Sequence, residues 1–80
     1  MTMNRKKMNM RLVKKQIARN IRRRRAELGI TQAELARRAG ISVSEVSALE
    51  SATREPLAST LLKVASGLDW TPSDVLDGVR

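Results

Sequence analysis

Apolar residues recur at helical spacing through the first third of the chain. The positions are Met10, Val13, Ile17, Ile21 and Leu28. This spacing predicts a helix that covers residues 17–28 and that can begin as early as Met10. Gly29 is expected to end the helix, because glycine accepts the left-handed conformation that closes a helix. Residues 1–9 show no clear period and are expected to form a tail.

Two short helices are predicted next, and a capping motif opens each of them. Thr31 and Glu34 form one capping-box signature, and Ser42 and Glu45 form a second. Gly40 is expected to stop the first of these helices, so the two are separated by a short turn that contains a glycine. This arrangement is typical of a helix-turn-helix unit.

The third predicted helix has two different faces when its residues are placed at about 100° per step. One face carries Glu45, Val46, Leu49 and Glu50. The other face carries Val43, Ser44, Ser47 and Ala48. Since Val46 and Leu49 are the residues suited to burial, we expect the second group to face outward.

Two more helices are predicted after a polar loop that ends at Pro56. The fourth helix carries the apolar positions Leu57, Leu61, Leu62, Ala65 and Leu68. Thr71 and Pro72 form a start signal for a last helix that carries Val75 and Leu76. The pattern therefore predicts an all-α fold of five helices without strands, with the helix-turn-helix at helices 2 and 3.

Charge is distributed unevenly along the chain. Lys and Arg number 16 against 8 acidic residues, and the first 25 residues hold 11 of the basic residues and no acidic one. Such asymmetry indicates a polyanionic partner, because Lys and Arg that neutralise phosphates release condensed counterions. The alternative is a solvated basic tail without a specific partner. The 80 residues suffice for one compact domain.

Several kinds of chemistry are excluded by composition. The chain has no Cys and no His, which removes thiolate nucleophiles, disulfides, Cys/His zinc sites and imidazole acid–base catalysis. Carboxylates such as Glu34, Glu45 and Asp74 are explained by helix capping. We therefore expect no enzyme activity, no cofactor and no metal. No apolar run is long enough for a signal peptide or a transmembrane helix, so a cytoplasmic protein without a membrane partner is expected.

Residues 17–76 resemble the lambda-repressor-like helix-turn-helix family, also called the Cro/C1 or XRE type. The resemblance rests on residues 28–36 (LGITQAELA), 39–42 (AGIS), 46–50 (VSALE), Pro56 and residues 61–65 (LLKVA). It implies a helix-turn-helix DNA-binding domain over residues 17–80. Residues 1–16 would form a basic arm that is either flexible or an extension of the first helix.

The resemblance also implies roles for individual residues. Gln32 would bind a DNA phosphate and buttress the next helix, and Ser42 and Val43 would lie against the sugar-phosphate edge. Ser44, Ser47 and Ala48 would meet base edges. Thr53 and Arg54 would contact phosphates, and Arg25 and Glu50 would form an ion pair. Arm contacts with DNA are predicted for Arg5, Lys6, Lys7 and Arg11.

The implied function is sequence-specific binding of double-stranded DNA by a transcriptional regulator. A repressor that binds an inverted repeat as a homodimer is expected, and the alternative is an antitoxin that binds both DNA and a partner toxin. RNA or membrane-surface binding is less favoured, because single-strand binders stack bases on aromatic residues and Trp70 is the only one here. Trp70 itself is expected to plug the core beneath the last helix, and the alternative is a dimer contact, because tryptophan is favoured at the centres of interfaces.

Overall fold

The computed structural model describes residues 8–79 and contains five helices in that range. They are α1 (Met10–Leu28), α2 (Gln32–Ala39), α3 (Val43–Glu50), α4 (Ala58–Gly67) and α5 (Pro72–Val75). No strand occurs within these residues. The predicted all-α architecture with its helix-turn-helix at α2 and α3 is confirmed. None of the helices over this range combines the length and the apolar character needed to cross a bilayer.

Helix α1 begins at the earlier of the two predicted positions. Asn9 caps it by accepting a hydrogen bond from the Arg11 amide at 3.0 Å. Gly29 ends it in the left-handed conformation with φ 67°, as the sequence predicted. From Met10 onward, the basic segment assigned to residues 1–16 therefore consists of the first turns of α1. The cations Arg5, Lys6 and Lys7 lie outside the described residues.

The turn between α2 and α3 follows the predicted local signals, with one correction. Gly40 has φ 70°, a left-handed conformation that glycine adopts without strain because it has no Cβ. Ser42 and Glu45 form a complete capping box. The Thr31 hydroxyl accepts from the Glu34 amide at 3.0 Å, but the Glu34 carboxylate does not return to Thr31. It is held instead by two guanidinium groups one turn further along α2, which attract it more strongly than a neutral amide does.

The core is aliphatic and draws on every helix. Its large buried apolar side chains include Ile17, Ile21, Leu35, Val46, Val64, Leu68 and Val75. Helix α2 packs against α3 and α4, while α1 packs against α3 and α5. Trp70 is half-buried against this core, which agrees with the predicted plug. The α2–α3 unit is therefore held from behind by α1 and α4.

Two leucines of the fourth apolar pattern do not enter the core. Leu57 is the N-cap residue of α4, is 70% exposed and provides no side-chain cap. Leu62, counted on the apolar face from its spacing, is 55% exposed. The buried stripe is completed by Val64, which the spacing argument left out. A residue next to a buried leucine can still project outward, because successive side chains are rotated by about 100°.

A buried amide joins α1 to the end of α5. The Asn20 side chain is fully buried, and its Nδ2 donates to the carbonyl oxygens of Val75 and Asp77, each at 2.8 Å. Gln16 Nε2 donates to Asn20 Oδ1 at 2.9 Å. These bonds satisfy carbonyl groups at the end of a short helix, which otherwise lack intrahelical donors. No local pattern in the sequence predicted this role for Asn20.

Candidate nucleic-acid interface

One face of α3 is open to solvent, and we call it the α3 front. It comprises the side chains of Val43, Ser44, Ser47 and Ala48. Val43 is 47% exposed, both serines are exposed and Ala48 is half-buried. On the opposite side, Val46 and Leu49 are buried. The outward orientation predicted for the front from helical periodicity is therefore the observed one.

The start of α3 is closed by its own cap. Ser42 Oγ accepts from the Glu45 amide at 3.1 Å, and Glu45 Oε1 accepts from the Ser42 amide at 3.2 Å. The first amides of a helix have no partner inside it, and they carry partial positive charge. The Ser42 hydroxyl thus caps the helix, and the amides of Val43 and Ser44 remain available to bind an anion.

A buried ion pair links the end of α3 to α1. Arg25 Nε donates to Glu50 Oε2 at 2.7 Å, and Arg25 Nη2 donates to Glu50 Oε1 at 3.0 Å. Glu50 is only 6% exposed, and its hydrogen bonds to Arg25 raise the pKa of the guanidinium. Arg25 also donates to the Ile30 carbonyl oxygen at 2.9 Å, across the turn before α2. This guanidinium therefore fixes α1, the α1–α2 turn and α3 relative to one another.

Gln32 is the first residue of α2 and belongs to the same network. Its Nε2 donates to Glu50 Oε1 at 2.9 Å. This bond agrees with the buttressing role that the resemblance implied. The amide nitrogen carries a second hydrogen that can donate outward. The phosphate contact of Gln32 stays a prediction.

The loop after α3 is stiffened by short-range bonds. Ser51 and Thr53 share a hydrogen bond between their hydroxyl oxygens at 2.9 Å, and the Thr53 amide donates to the Ala48 carbonyl oxygen at 3.1 Å. Ala52 between them has φ 59°, which is uncommon outside glycine and was not predicted. Thr53 and Arg54 are exposed beyond this turn, beside the C-terminal end of α3.

The run of four arginines at the end of α1 points in several directions. Arg23 and Arg24 pair with Glu27, and Arg25 pairs with Glu50. Arg22 donates from Nη1 to the carbonyl oxygen of Glu50. Arg24 also donates to the Leu68 carbonyl oxygen at 3.0 Å and lies 5.5 Å from the centroid of the Trp70 ring. The run is thus largely structural. Arg11 is an exposed residue of the first turn of α1.

Comparison with known proteins places this arrangement in a family. A family model described as Helix-turn-helix, HTH_3, matches residues 21–76, which include both helices of the unit. The chain belongs to the HTH_3 family. Members of this family are of the Cro/C1 type, so the resemblance to lambda-repressor-like proteins is confirmed. No curated protein sequence matches the chain.

Solved structures of helix-turn-helix regulators are similar to this HTH_3 chain. An HTH_3 family transcriptional regulator from Vibrio cholerae has a TM-score of 0.80 and 28% identity over 84% of this chain and 38% of its own. The restriction-modification controller protein C.AhdI from Aeromonas hydrophila has a TM-score of 0.75 and 27% identity, covering 78% of this chain and 94% of its own. This chain thus spans little more than a third of the Vibrio protein and nearly all of the controller.

A repressor structure is also similar. The P22 c2 repressor, solved in complex with synthetic operator 9T, has a TM-score of 0.71 and 34% identity over 78% of this chain and 94% of its own. The three solved structures therefore share the fold of this chain, and all three are regulators or repressors.

Proposed function

We propose that this chain is a sequence-specific, double-stranded DNA-binding transcription regulator that acts as a repressor. It would bind an inverted repeat as a homodimer. Its HTH_3 membership and its likeness to a restriction-modification controller and to a repressor solved on an operator support this function. Fold alone does not decide function, and the surface that α2 and α3 present is what favours DNA.

The α3 front is the observation that carries the proposal. An α-helix fits the major groove of B-DNA, which is about 12 Å wide. Val43, Ser44 and Ser47 are short side chains, so they let the α3 backbone approach the base edges closely. Apolar side chains contact the thymine methyl group, and serine bonds to donors or acceptors of any base. Specificity would also depend on how readily the DNA sequence deforms, because the front lacks the Arg, Asn and Gln side chains that bind bases bidentately.

Around this front, the remaining contacts would hold the duplex in register. Ser44, Ser47 and Ala48 would meet base edges, and Ser42 and Val43 would lie against the sugar-phosphate edge. Gln32 would donate its second amide hydrogen to a phosphate while its first remains on Glu50. Thr53 and Arg54 would meet phosphates after the end of α3. Contacts to phosphate and sugar fix orientation, and contacts to bases give specificity.

The test is selection of genomic fragments by the purified chain, followed by footprinting. We expect protection of a short inverted repeat whose half-sites lie about 34 Å apart. Ser47→Glu should weaken binding about tenfold or more, because it places a carboxylate in the groove. Ser59→Glu on α4 is the control, since it introduces the same charge at another exposed serine. Equal affinity of the two variants, or selection of no fragment over competitor DNA, would contradict the proposal.

The homodimer is tested separately at the end of α5. Leu76 there is 41% exposed, and we expect the last helix to supply the dimer contact, as is usual in the family that the chain resembles. Leu76→Asp should shift sedimentation towards the monomer and weaken binding to the complete repeat more than to one half-site. Leu62→Asp on α4 is the matched control. A wild-type chain that sediments as a monomer even on the complete repeat would exclude the homodimer.

A further inference from the structure

Basic residues of α1 line a groove that opens beside the end of α3. Lys15, Arg19 and Arg22 lie on the α1 side of this groove, and Ser51 and Ala52 lie on the other. Ser51 is the residue directly after α3, so the groove adjoins the helix that carries the α3 front. These cations contribute to the net charge of +8, and no motif in the sequence marks them as a site.

None of these three cations forms a salt bridge in the part of the chain that the structure describes, and Lys15 and Arg19 also form no side-chain hydrogen bond there. Arg23, Arg24 and Arg25 form salt bridges with glutamates, and so do both arginines of α2. No salt bridge within residues 8–79 involves Lys15 or Arg19, and both are exposed. Arg22 Nη1 donates a hydrogen bond to the Glu50 carbonyl oxygen.

The carboxylate nearest to the groove does not neutralise these two cations. Glu50 is its only acidic lining residue, and that side chain is buried and bonded to Arg25 and Gln32. The positive charge of Lys15 and Arg19 is therefore directed to solvent. A mobile anion or a polyanion is what would balance it.

Helix α3 has no cationic side chain with which to neutralise DNA phosphates. It contains two glutamates and no Lys or Arg. Since phosphate neutralisation provides the sequence-independent affinity for DNA, that affinity must come from neighbouring elements. Lys15 and Arg19 are one turn apart on α1, about 6 Å along its axis, so they can reach neighbouring phosphates of one strand.

We infer that Lys15 and Arg19 form a phosphate-binding surface that holds the DNA strand passing the end of α3. The inference depends on the proposed DNA-binding function and assigns to α1 a share of its affinity. Lysine binds phosphate as a point charge on a flexible stem, whereas arginine binds two oxygens in a fixed plane. Neither contact reads bases, so the surface would strengthen binding to every sequence alike.

Fluorescence anisotropy with a labelled mixed-sequence duplex tests the inference over a series of salt concentrations. The slope of log K against log salt is negative, and the double variant Lys15→Gln/Arg19→Gln should make it shallower by about 0.9 for each lost phosphate contact. Between 50 and 200 mM salt, the fold loss of affinity should then be about threefold smaller than for the wild-type chain for each lost contact. The control is Lys14→Gln/Lys63→Gln, which has the same net charge and leaves the groove unchanged. Lys15→Arg/Arg19→Lys should restore the wild-type slope.

The outcomes separate the inference from the proposed function. The wild-type chain could bind the duplex while Lys15→Gln/Arg19→Gln and Lys14→Gln/Lys63→Gln show the same slope. In that case the phosphate-binding role of Lys15 and Arg19 is wrong, and the proposed DNA binding is not contradicted. If the wild-type chain binds no duplex at low salt, both are wrong. Helical circular dichroism and thermal melting of each variant report whether the fold is kept.

Discussion

Helices α1 and α3 differ sharply in charge although they pack against each other. Helix α1 holds eight basic residues and one acidic residue, whereas α3 holds two acidic residues and no basic one. Helix α3 instead presents small uncharged side chains on its front and aliphatic ones on its back. The difference suggests that one helix attracts a polyanion while the other is shaped to fit it.

The largest effect is expected when the ion pair between α1 and α3 is removed. Arg25→Ala leaves Glu50 buried without its guanidinium partner, and we expect the free energy of unfolding to fall by about 3 kcal/mol at neutral pH. Urea denaturation measures the loss. Arg23→Ala removes an exposed pair with Glu27 and should cost well under about 1 kcal/mol. Similar costs for both variants would mean that the buried pair does not hold α1 to α3.

The next largest effect distinguishes the two faces of α3. Leu49→Ala should lower the free energy of unfolding by about 2 to 3 kcal/mol, because Leu49 is buried in the core. Val43→Ala on the α3 front should change it by less than about 0.5 kcal/mol. Thermal or urea unfolding of both variants provides the comparison. A large loss with Val43→Ala would show that the front supports the fold.

A smaller effect is expected for base preference. Ser44→Ala and Ser47→Ala should leave stability nearly unchanged and alter discrimination between bases at single positions by about 1 kcal/mol. Their slope against salt should equal that of the wild-type chain, since neither serine carries charge. Competition binding with single-base variants of the selected site measures this. Unchanged base preference in both variants would show that these serines do not contact base edges.

The smallest effect concerns the cations of α2, which differ from Lys15 and Arg19 in being paired. Arg37, followed by Arg38, lowers the pKa of Glu34 from 4.5 to about 2. A lowered pKa in the folded state stabilises it above the unfolded value, and this contribution is lost as pH falls from about 4.5 to about 2. The stability advantage of the wild-type chain over Glu34→Gln should therefore disappear over that range.

The matched control for this pH dependence is Glu55→Gln. Glu55 is exposed and forms no salt bridge within residues 8–79, so its substitution removes the same charge without breaking an ion pair there. Thermal melting between pH 2 and about 7 measures both variants. An advantage over Glu34→Gln that persists below pH 2 would contradict the ion-pair explanation.

Much of the framework could be predicted from residues that are close in the chain. The caps at Thr31 and Ser42 and the left-handed ends at Gly29 and Gly40 depend on neighbours three or four positions away. Such signals are visible in sequence because the helix itself brings these residues together. The outward direction of the α3 front followed from the same periodicity. The resemblance to its family, not periodicity, predicted the pairing of Arg25 with Glu50.

Contacts between distant segments were decided by packing. Asn20 is buried because the end of α5 lies over it, and Leu62 is exposed because Val64 fills the stripe instead. Glu34 is a different case, because it pairs with Arg37 and Arg38 of its own helix and its departure from the predicted capping box is therefore local. Lys15 and Arg19 acquire a place beside Ser51 only when α1 packs against α3. The sequence by itself determined which helices form and which charges they carry. The tertiary structure decided which side chains are buried and which cations lie beside α3, because those positions depend on helices that are far apart in the chain packing together.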